Sequence, residues 1–300
     1  MKRLFIYIFI VAALTFALLF LVYISNNWNN LHSSNISNQN HTACSVIYKN
    51  ATNNEWSGYV FRIPPNYRVD SINTTFIVPQ IYHTNQSNTL QDIGFWIGVL
   101  NKNAVTLNSI HPKIVQVGII AQNQGSSFYD MFYELLPQKT NTTYQPVYPG
   151  NKIFMQITLQ NQTTMEWNIL INDTSQKNDD FNINTTFSMS VYAVAWIAEP
   201  NGLENLTALP PYFQVANFTK NNLKLCNASS CDSYNLSKLN AQEYYIDLAS
   251  NTNNSLKVNI TPSILSSNGF SICNNEKGGI KTNPFIPNFG NVISANTIKR

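Results

Sequence analysis

The 300-residue chain is poor in charge: Asp, Glu, Lys and Arg make up only 11% of it, against about 25% in a typical globular protein. Its net charge of +3 comes without the basic stripe that neutralises phosphates, so nucleic acid is excluded as a partner. Disorder is excluded too, because 44% hydrophobic and 12% aromatic residues can bury a core. Asn, Gln, Ser and Thr take the place of the missing charges.

Histidine is also scarce, and most catalytic signatures are missing. The four histidines are scattered, and there is no H-E-x-x-H, G-x-S-x-G, P-loop or pepsin-like Asp-Thr/Ser-Gly motif. The histidines show no ligand-like spacing with the cysteines, so a metal site is a poor alternative to disulfides. No metal or organic cofactor is implied. An enzyme built from this chain must work with carboxylates, amides and hydroxyls.

The N-terminus carries a membrane-targeting segment. Lys2 and Arg3 precede an uncharged apolar run from Leu4 to Ile24, and about 21 helical residues span a hydrocarbon core of ~30 Å. The basic residues would stay inside, which predicts a single-pass transmembrane anchor. A cleaved signal peptide is the alternative. Both interpretations place the rest of the chain on the extracellular side of the membrane or in the medium.

Glycosylation signals and an even number of cysteines agree with export. The N-x-[ST] triplets begin at Asn35, Asn40, Asn50, Asn73, Asn85, Asn141, Asn161, Asn172, Asn184, Asn205, Asn217, Asn227, Asn235, Asn253 and Asn259, and they predict a glycosylated surface. Four cysteines in an exported chain predict two disulfides. Cys226–Cys231 with Cys44–Cys273 is the preferred pairing among three possible connectivities.

Changes in composition and residue pattern divide the chain into four parts. Residues 1–25 are the anchor or signal, 26–50 an Asn/Ser-rich stalk, 51–276 a folded domain, and 277–300 a loosely ordered tail. The domain contains short runs rich in Val, Ile, Phe, Tyr and Thr, with no convincing helical stripe, so it reads as an all-β sandwich or barrel. These runs are 56–63, 72–78, 93–100, 113–122, 129–136, 152–160, 164–172, 187–199, 212–219, 243–249 and 255–264.

Three segments stand out within these runs. They are W-S-G-Y-V from Trp56 with F-I-V-P at 76–79; F-W-I-G at 95–98 with I-V-Q-V-G at 114–118 and F-Y-E-L-L-P at 132–137; and A-W-I-A-E-P at 195–200. In this order and spacing they resemble the glutamic peptidases, or eqolisins, which are secreted acid proteases. The resemblance runs from Trp56 to Glu199 and more weakly to Cys273.

The resemblance implies a fold, a site and a reaction. The fold would be an antiparallel β-sandwich of two large sheets, concanavalin A/lectin-like, with one sheet forming the cleft. Gln116 and Glu199 match the catalytic dyad, while Trp56, Trp96 and Glu134 match substrate-binding positions of the cleft region. A carboxylate can activate water and then protonate the leaving amine, and an amide can stabilise the oxyanion. The expected substrate is an extended polypeptide, cleaved in acid by a monomeric enzyme.

Three positions depart from the family pattern, and two other functions stay open. Ala195 stands where the family has a glutamate, and Leu100 and Ile120 stand where acidic residues are frequent, so the pH optimum or the subsites would differ. A lectin-like binding module and a structural glycoprotein of the cell envelope are the alternatives. The low charge itself suits acid, because few carboxylates lose native partners as the pH falls.

Overall fold

The computed structural model describes residues 56–82, 90–106, 111–123, 126–176, 180–200, 210–213, 215–239, 241–244, 246–249, 257–267 and 269–274. All of them belong to the unit formed by Cys44–Arg300. The predicted anchor, stalk and tail lie outside these residues. Within the described part of the chain, no helix is both long and apolar enough to cross a membrane.

The described residues form eighteen strands and little helix. In chain order the strands are β1 Ser57–Arg62, β2 Arg68–Ile77, β3 Ile81–Tyr82, β4 Gln91–Leu100, β5 Ile114–Asn123, β6 Ser127–Leu136, β7 Asn141–Pro146, β8 Lys152–Asn161, β9 Glu166–Asp173, β10 Asp180–Thr186, β11 Ala193–Pro200, β12 Tyr212–Phe213, β13 Val215–Cys226, β14 Cys231–Asn235, β15 Gln242–Tyr244, β16 Ile246–Ala249, β17 Lys257–Pro262 and β18 Gly269–Asn274. A four-residue α-helix, α1 (Lys102–Val105), follows β4, and a short 3₁₀ helix spans Leu236–Lys238.

Two large antiparallel sheets share one core. The seven-stranded sheet has the order β15-β1-β11-β4-β5-β6-β7, and the nine-stranded sheet has the order β10-β9-β8-β2-β13-β18-β17-β16, with β14 also paired to β13. Phe95 of the first sheet lies 5.1 Å from Phe76 of the second, centroid to centroid, and Phe76 lies 4.9 Å from Phe218. Apolar faces on both sheets drive this packing. The predicted antiparallel β-sandwich is therefore confirmed.

The two sheets differ in how their strands are buried. In β9 every second side chain, such as Trp167, Ile169 and Ile171, is buried in the core, which is the alternation of a sheet with one exposed face. In β4 all but one residue is buried. The seven-stranded sheet is therefore covered on both faces, and its second face holds the residues singled out in the sequence.

Strands that bury few apolar side chains escaped the sequence prediction. The edge strand β10, D-F-N-I-N-T-T, has no buried residue, and β7 and β14 are equally polar in sequence. The predicted strand at 187–199 was half wrong, because pairing begins only at Ala193. Phe187 and Met189 are buried in the core as the chain passes from one sheet to the other.

One predicted disulfide is present. Cys226 and Cys231 are bonded, with Cα atoms 4.0 Å apart, and they close the turn between β13 and β14. Cys273 is also disulfide-bonded, while Cys44 lies outside the described residues. The Cys226–Cys231 bridge thus ties two neighbouring strands of the nine-stranded sheet.

Candidate active site

The face of the seven-stranded sheet that points away from the nine-stranded sheet is called here the outer face. The register pairs Glu199 with Gly94, Gly98 with Gln116, and Gln116 with Glu134. Directly paired residues point to one side of a sheet, and successive residues alternate. Glu199, Gln116 and Glu134 therefore all lie on the outer face.

Glu199 is held by two tryptophans. The Trp56 Nε1–H donates to Oε1 at 2.9 Å, and the Trp96 Nε1–H donates to Oε2 at 2.9 Å. An indole N–H can only donate, so both carboxylate oxygens act as acceptors here. The two rings meet edge to face at 5.5 Å and are almost fully buried, with exposures of 4% and 1%. The two tryptophans thus hold Glu199 in position. That they also contact the substrate, as the sequence suggests, stays a prediction.

Strand order explains why Trp56 reaches Glu199. Trp56 immediately precedes β1, which pairs with β11, the strand of Glu199. Gly58 allows this close pairing: its φ is +147°, and a Cβ there would stand 2.0 Å from the Trp196 carbonyl oxygen. Glycine is the residue suited to both conditions. Gly58 of the W-S-G motif thus permits the close strand packing that places the Trp56 indole beside the Glu199 carboxylate.

Gln116 and Glu134 form a second hydrogen-bonded pair on the outer face. The Gln116 Nε2–H donates to Glu134 Oε2, and the Thr140 hydroxyl donates to Glu134 Oε1 at 2.7 Å. Gln116 is buried, with 6% exposure, whereas Glu134 is half-buried. The amide is therefore fixed by the neighbouring strand.

The Trp96 ring bridges the two pairs. Its Cδ1 lies 3.5 Å from the position of a Cβ on Gly94, and its Cζ3 lies 2.9 Å from that position on Gly98. Gly94 is paired with Glu199 and Gly98 with Gln116. The backbones of Glu199 and Gln116 are thus separated by two strand spacings across the sheet, about 10 Å, and by four residues along the strands, about 13 Å. The Trp96 indole lies on the sheet between these two residues.

The departures from the family pattern form an apolar cluster. Ala195 and Leu100 are fully buried and pack with Ala104 and Val105 of α1. A carboxylate in place of Ala195 or Leu100 would be desolvated, which is costly without a partner. Ile120 is only half-buried beside this cluster. The helix therefore packs at the Leu100 end of the outer face, whereas Ala195 lies in the row of Gln116 and Ile120 in the row of Glu199.

Asp130 is a carboxyl on the outer face that the sequence prediction missed. It lies in one transverse row with Glu199, Gly94 and Ile120, and its exposure is 5%. Burial raises the pKa of Asp130 above its ordinary value, because desolvation disfavours the charged form. The available signal was its spacing of four residues from Glu134 on the same strand, which places both on one face.

Among the described residues, one group of side chains lies close enough together to bind a single metal ion. It comprises Asp70, Cys226 and Cys231. The two sulfurs are joined in a disulfide, so they offer no thiolate. Asp70 instead pairs with Lys224 at 2.9 Å. This group therefore has a structural explanation.

Comparison with known proteins establishes the family. The model of the Peptidase A4 family matches residues 54–274, so the chain belongs to the Peptidase A4 family, the glutamic peptidases or eqolisins. It is a glutamic-type endopeptidase, a hydrolase of peptide bonds. No curated protein matches the chain.

Two solved structures show the same fold. A crystal structure of scytalido-glutamic peptidase with a transition state analog inhibitor is 17% identical, with a TM-score of 0.53, and the match covers 74% of this chain and 98% of that one. A second structure of that peptidase, with a peptide-based transition state analog, is 18% identical, with a TM-score of 0.52 and the same coverage. At this identity the likeness concerns the fold alone.

Asp130→Asn should change how stability depends on pH. A carboxyl with a raised folded-state pKa binds its proton more tightly in the folded chain, so it costs stability as the pH rises above its unfolded pKa. The Asn variant should gain free energy of unfolding over the wild type at neutral pH, and the gain should shrink in acid. Chemical denaturation at both pH values, with Asp180→Asn as the exposed control, measures this. An equal difference at both pH values would contradict it.

Trp96→Phe should impair catalysis more than stability. The substitution keeps an aromatic ring but removes the N–H that holds Glu199, so we expect kcat to fall by on the order of tenfold to a hundredfold. Trp167→Phe is the matched control, because it removes a buried indole donor (to the Phe187 carbonyl oxygen at 3.1 Å) far from this site. That control should lower the melting temperature and leave kcat nearly unchanged. Equal kcat values for the Trp96→Phe variant and the wild type would refute the positioning role.

Proposed function

We propose that Glu199 and Gln116 are the catalytic dyad of an endopeptidase that cleaves polypeptides in acid. The main supporting observation is that the Glu199 carboxylate accepts hydrogen bonds from two indole N–H groups. It lies on the same sheet face as the buried Gln116 amide, which is hydrogen-bonded to Glu134. Membership of a glutamic peptidase family supports it. The dyad also matches the only motif blocks in the sequence that suggest chemistry.

Glu199 would act first as a general base and then as a general acid. Each carboxylate oxygen accepts more than one hydrogen bond, so an indole N–H leaves acceptor capacity for a water molecule. The carboxylate takes a proton from that water as its oxygen attacks the scissile carbonyl carbon. It then returns the proton to the amine nitrogen as the C–N bond breaks. No acyl-enzyme forms in this sequence.

Gln116 would stabilise the oxyanion of the tetrahedral intermediate. Its amide has two N–H groups, and Glu134 accepts one of them, which leaves the other for substrate. An amide stays neutral and able to donate at any pH, whereas a second carboxyl would share a proton with the first. A preorganised donor of this kind is worth about 10²–10³ in kcat.

The substrate would reach the site at Glu199, which is half-buried, whereas Trp96 is almost fully buried and supports the site from beneath. A scissile peptide group placed between the two side chains would face Glu199 on one side and Gln116 on the other. Leu100 packs with α1 at one end of the outer face. An extended polypeptide would therefore leave the site toward the end that carries Phe128, which is 51% exposed.

One isosteric substitution and one truncation test the dyad. The full-length protein is incubated with denatured protein at acidic pH, with pepstatin present to suppress pepsin-like contaminants. Glu199→Gln should lower kcat by about 10²–10⁴ through loss of the proton acceptor, and Gln116→Ala by about 10²–10³. Both variants should keep the wild-type melting temperature within a few degrees.

Matched controls come from the other sheet. Glu166→Gln and Gln156→Ala make the same chemical changes on strands of the nine-stranded sheet and should leave kcat unchanged. Wild-type protein that is folded yet cleaves nothing at any acidic pH would overturn the peptidase mechanism in favour of a binding module. Full activity in Glu199→Gln would remove Glu199 from it.

We also propose that the domain works outside the cytoplasm, tethered by its N-terminal segment or released from it. The Cys226–Cys231 bridge supports this location, because disulfides persist in oxidising compartments. Asn141, Asn161 and Asn184 of the predicted glycosylation triplets are exposed. A membrane-impermeant biotin reagent should label the protein on intact cells, or the protein should be found in the medium. Labelling that requires cell lysis would contradict this proposal.

A further inference from the structure

The Gln116 amide can point either of its ends at the substrate. The NH₂ and C=O ends of a glutamine side chain have nearly the same shape but opposite hydrogen-bonding roles. Only the NH₂ end can stabilise an oxyanion. The site therefore needs something that selects one orientation of this amide.

Glu134 is placed to make that selection. It pairs directly with Gln116 across β5 and β6 and accepts from its Nε2–H. A rotated amide would press its carbonyl oxygen against the carboxylate, which is repulsive. Among the described residues, Gln116 Oε1 is buried without a hydrogen-bond partner, so none of them fixes the amide from its oxygen side. Within this part of the chain, the orientation therefore depends on Glu134.

Glu134 is itself fixed. The Thr140 hydroxyl donates to its other oxygen, Oε1, at 2.7 Å. Each carboxylate oxygen thus has an assigned donor, one from Gln116 and one from Thr140. Such an arrangement suits a group that orients a neighbour rather than one reserved for a substrate side chain.

We propose that Glu134 is a positioning residue that turns the NH₂ end of Gln116 toward the oxyanion, with Thr140 holding the carboxylate in place. This role rests on the proposed function of Gln116. It replaces the substrate-binding role that the sequence suggested for Glu134. The proposal requires that Glu134 affect catalysis only through Gln116.

A double-mutant cycle in the full-length protein tests this dependence. Glu134→Gln retains the shape but can present either end to Gln116, so kcat should fall by on the order of tenfold while KM changes little. In a Gln116→Ala background the same substitution should change kcat by less than about twofold, because the group it positions is gone. Thr140→Val, a milder change that leaves the carboxylate intact, should show a smaller loss and the same dependence.

The outcomes separate the two claims. Equal fold-losses from Glu134→Gln in both backgrounds, or a raised KM with unchanged kcat, would overturn the positioning role and indicate a substrate contact. If Gln116→Ala alone leaves kcat unchanged, the dyad itself fails, whatever Glu134→Gln does. Thermal melting of each variant shows whether it is folded, and Thr140→Val carries the test if Glu134→Gln is not.

Discussion

Both oxygens of the Glu199 carboxylate accept a hydrogen bond from an indole, and this contact depends on the order of three adjacent strands. Trp56 leads into β1, Glu199 ends β11, and Trp96 lies in β4. These strands are neighbours in the sheet although Glu199 lies 143 positions from Trp56 and 103 from Trp96 in the chain. The sandwich thus serves the site by bringing two rigid donors to one carboxylate. The Gln116–Glu134 pair follows on the next two strands.

The seven-stranded sheet has the core on one face and the candidate site on the other, and the central strands bury side chains on both. This burial explains the nearly continuous apolar sequences of β4, β5 and β11, which contrast with the alternating sequence of β9. It also explains why polar residues such as Gln116 stand out in those strands. Each one interrupts a buried run and needs a partner, because an unpaired polar group there is costly.

The scarcity of charge extends into the folded domain. Among the described residues, Lys224 and Asp70 form an ion pair at 2.9 Å, while many contacts join neutral groups. The Thr74 hydroxyl donates to Asn221 at 2.6 Å in the interior, and Asn168 donates to Asn184 at 2.8 Å between β9 and the edge strand β10. Amide and hydroxyl hydrogen bonds do not titrate, so they persist where paired carboxylates would be protonated. The composition and the proposed acid reaction therefore suit the same surroundings.

The sequence predicted the sandwich, the Cys226–Cys231 bridge and the placement of the site residues on strands, because buried strands and short disulfide loops leave local signals. It could not predict the partners of those residues. That Trp56 and Trp96 donate to Glu199, and that Glu134 holds Gln116, follows from strand order and register, which are set by long-range packing. Asp130 was missed for the same reason, since only the register of β5 and β6 places it in the row of Glu199. Polar edge strands such as β10 were missed because they bury no apolar face.

The most direct test of the account is a crystal structure of this protein with a peptide analogue that carries a tetrahedral centre. The account predicts one oxygen of that centre within hydrogen-bond distance of the Glu199 carboxylate and another within that distance of Gln116 Nε2. The peptide backbone should cross the outer face between Glu199 and Gln116. An analogue bound on another surface, or bound here with its tetrahedral oxygens away from both side chains, would contradict it.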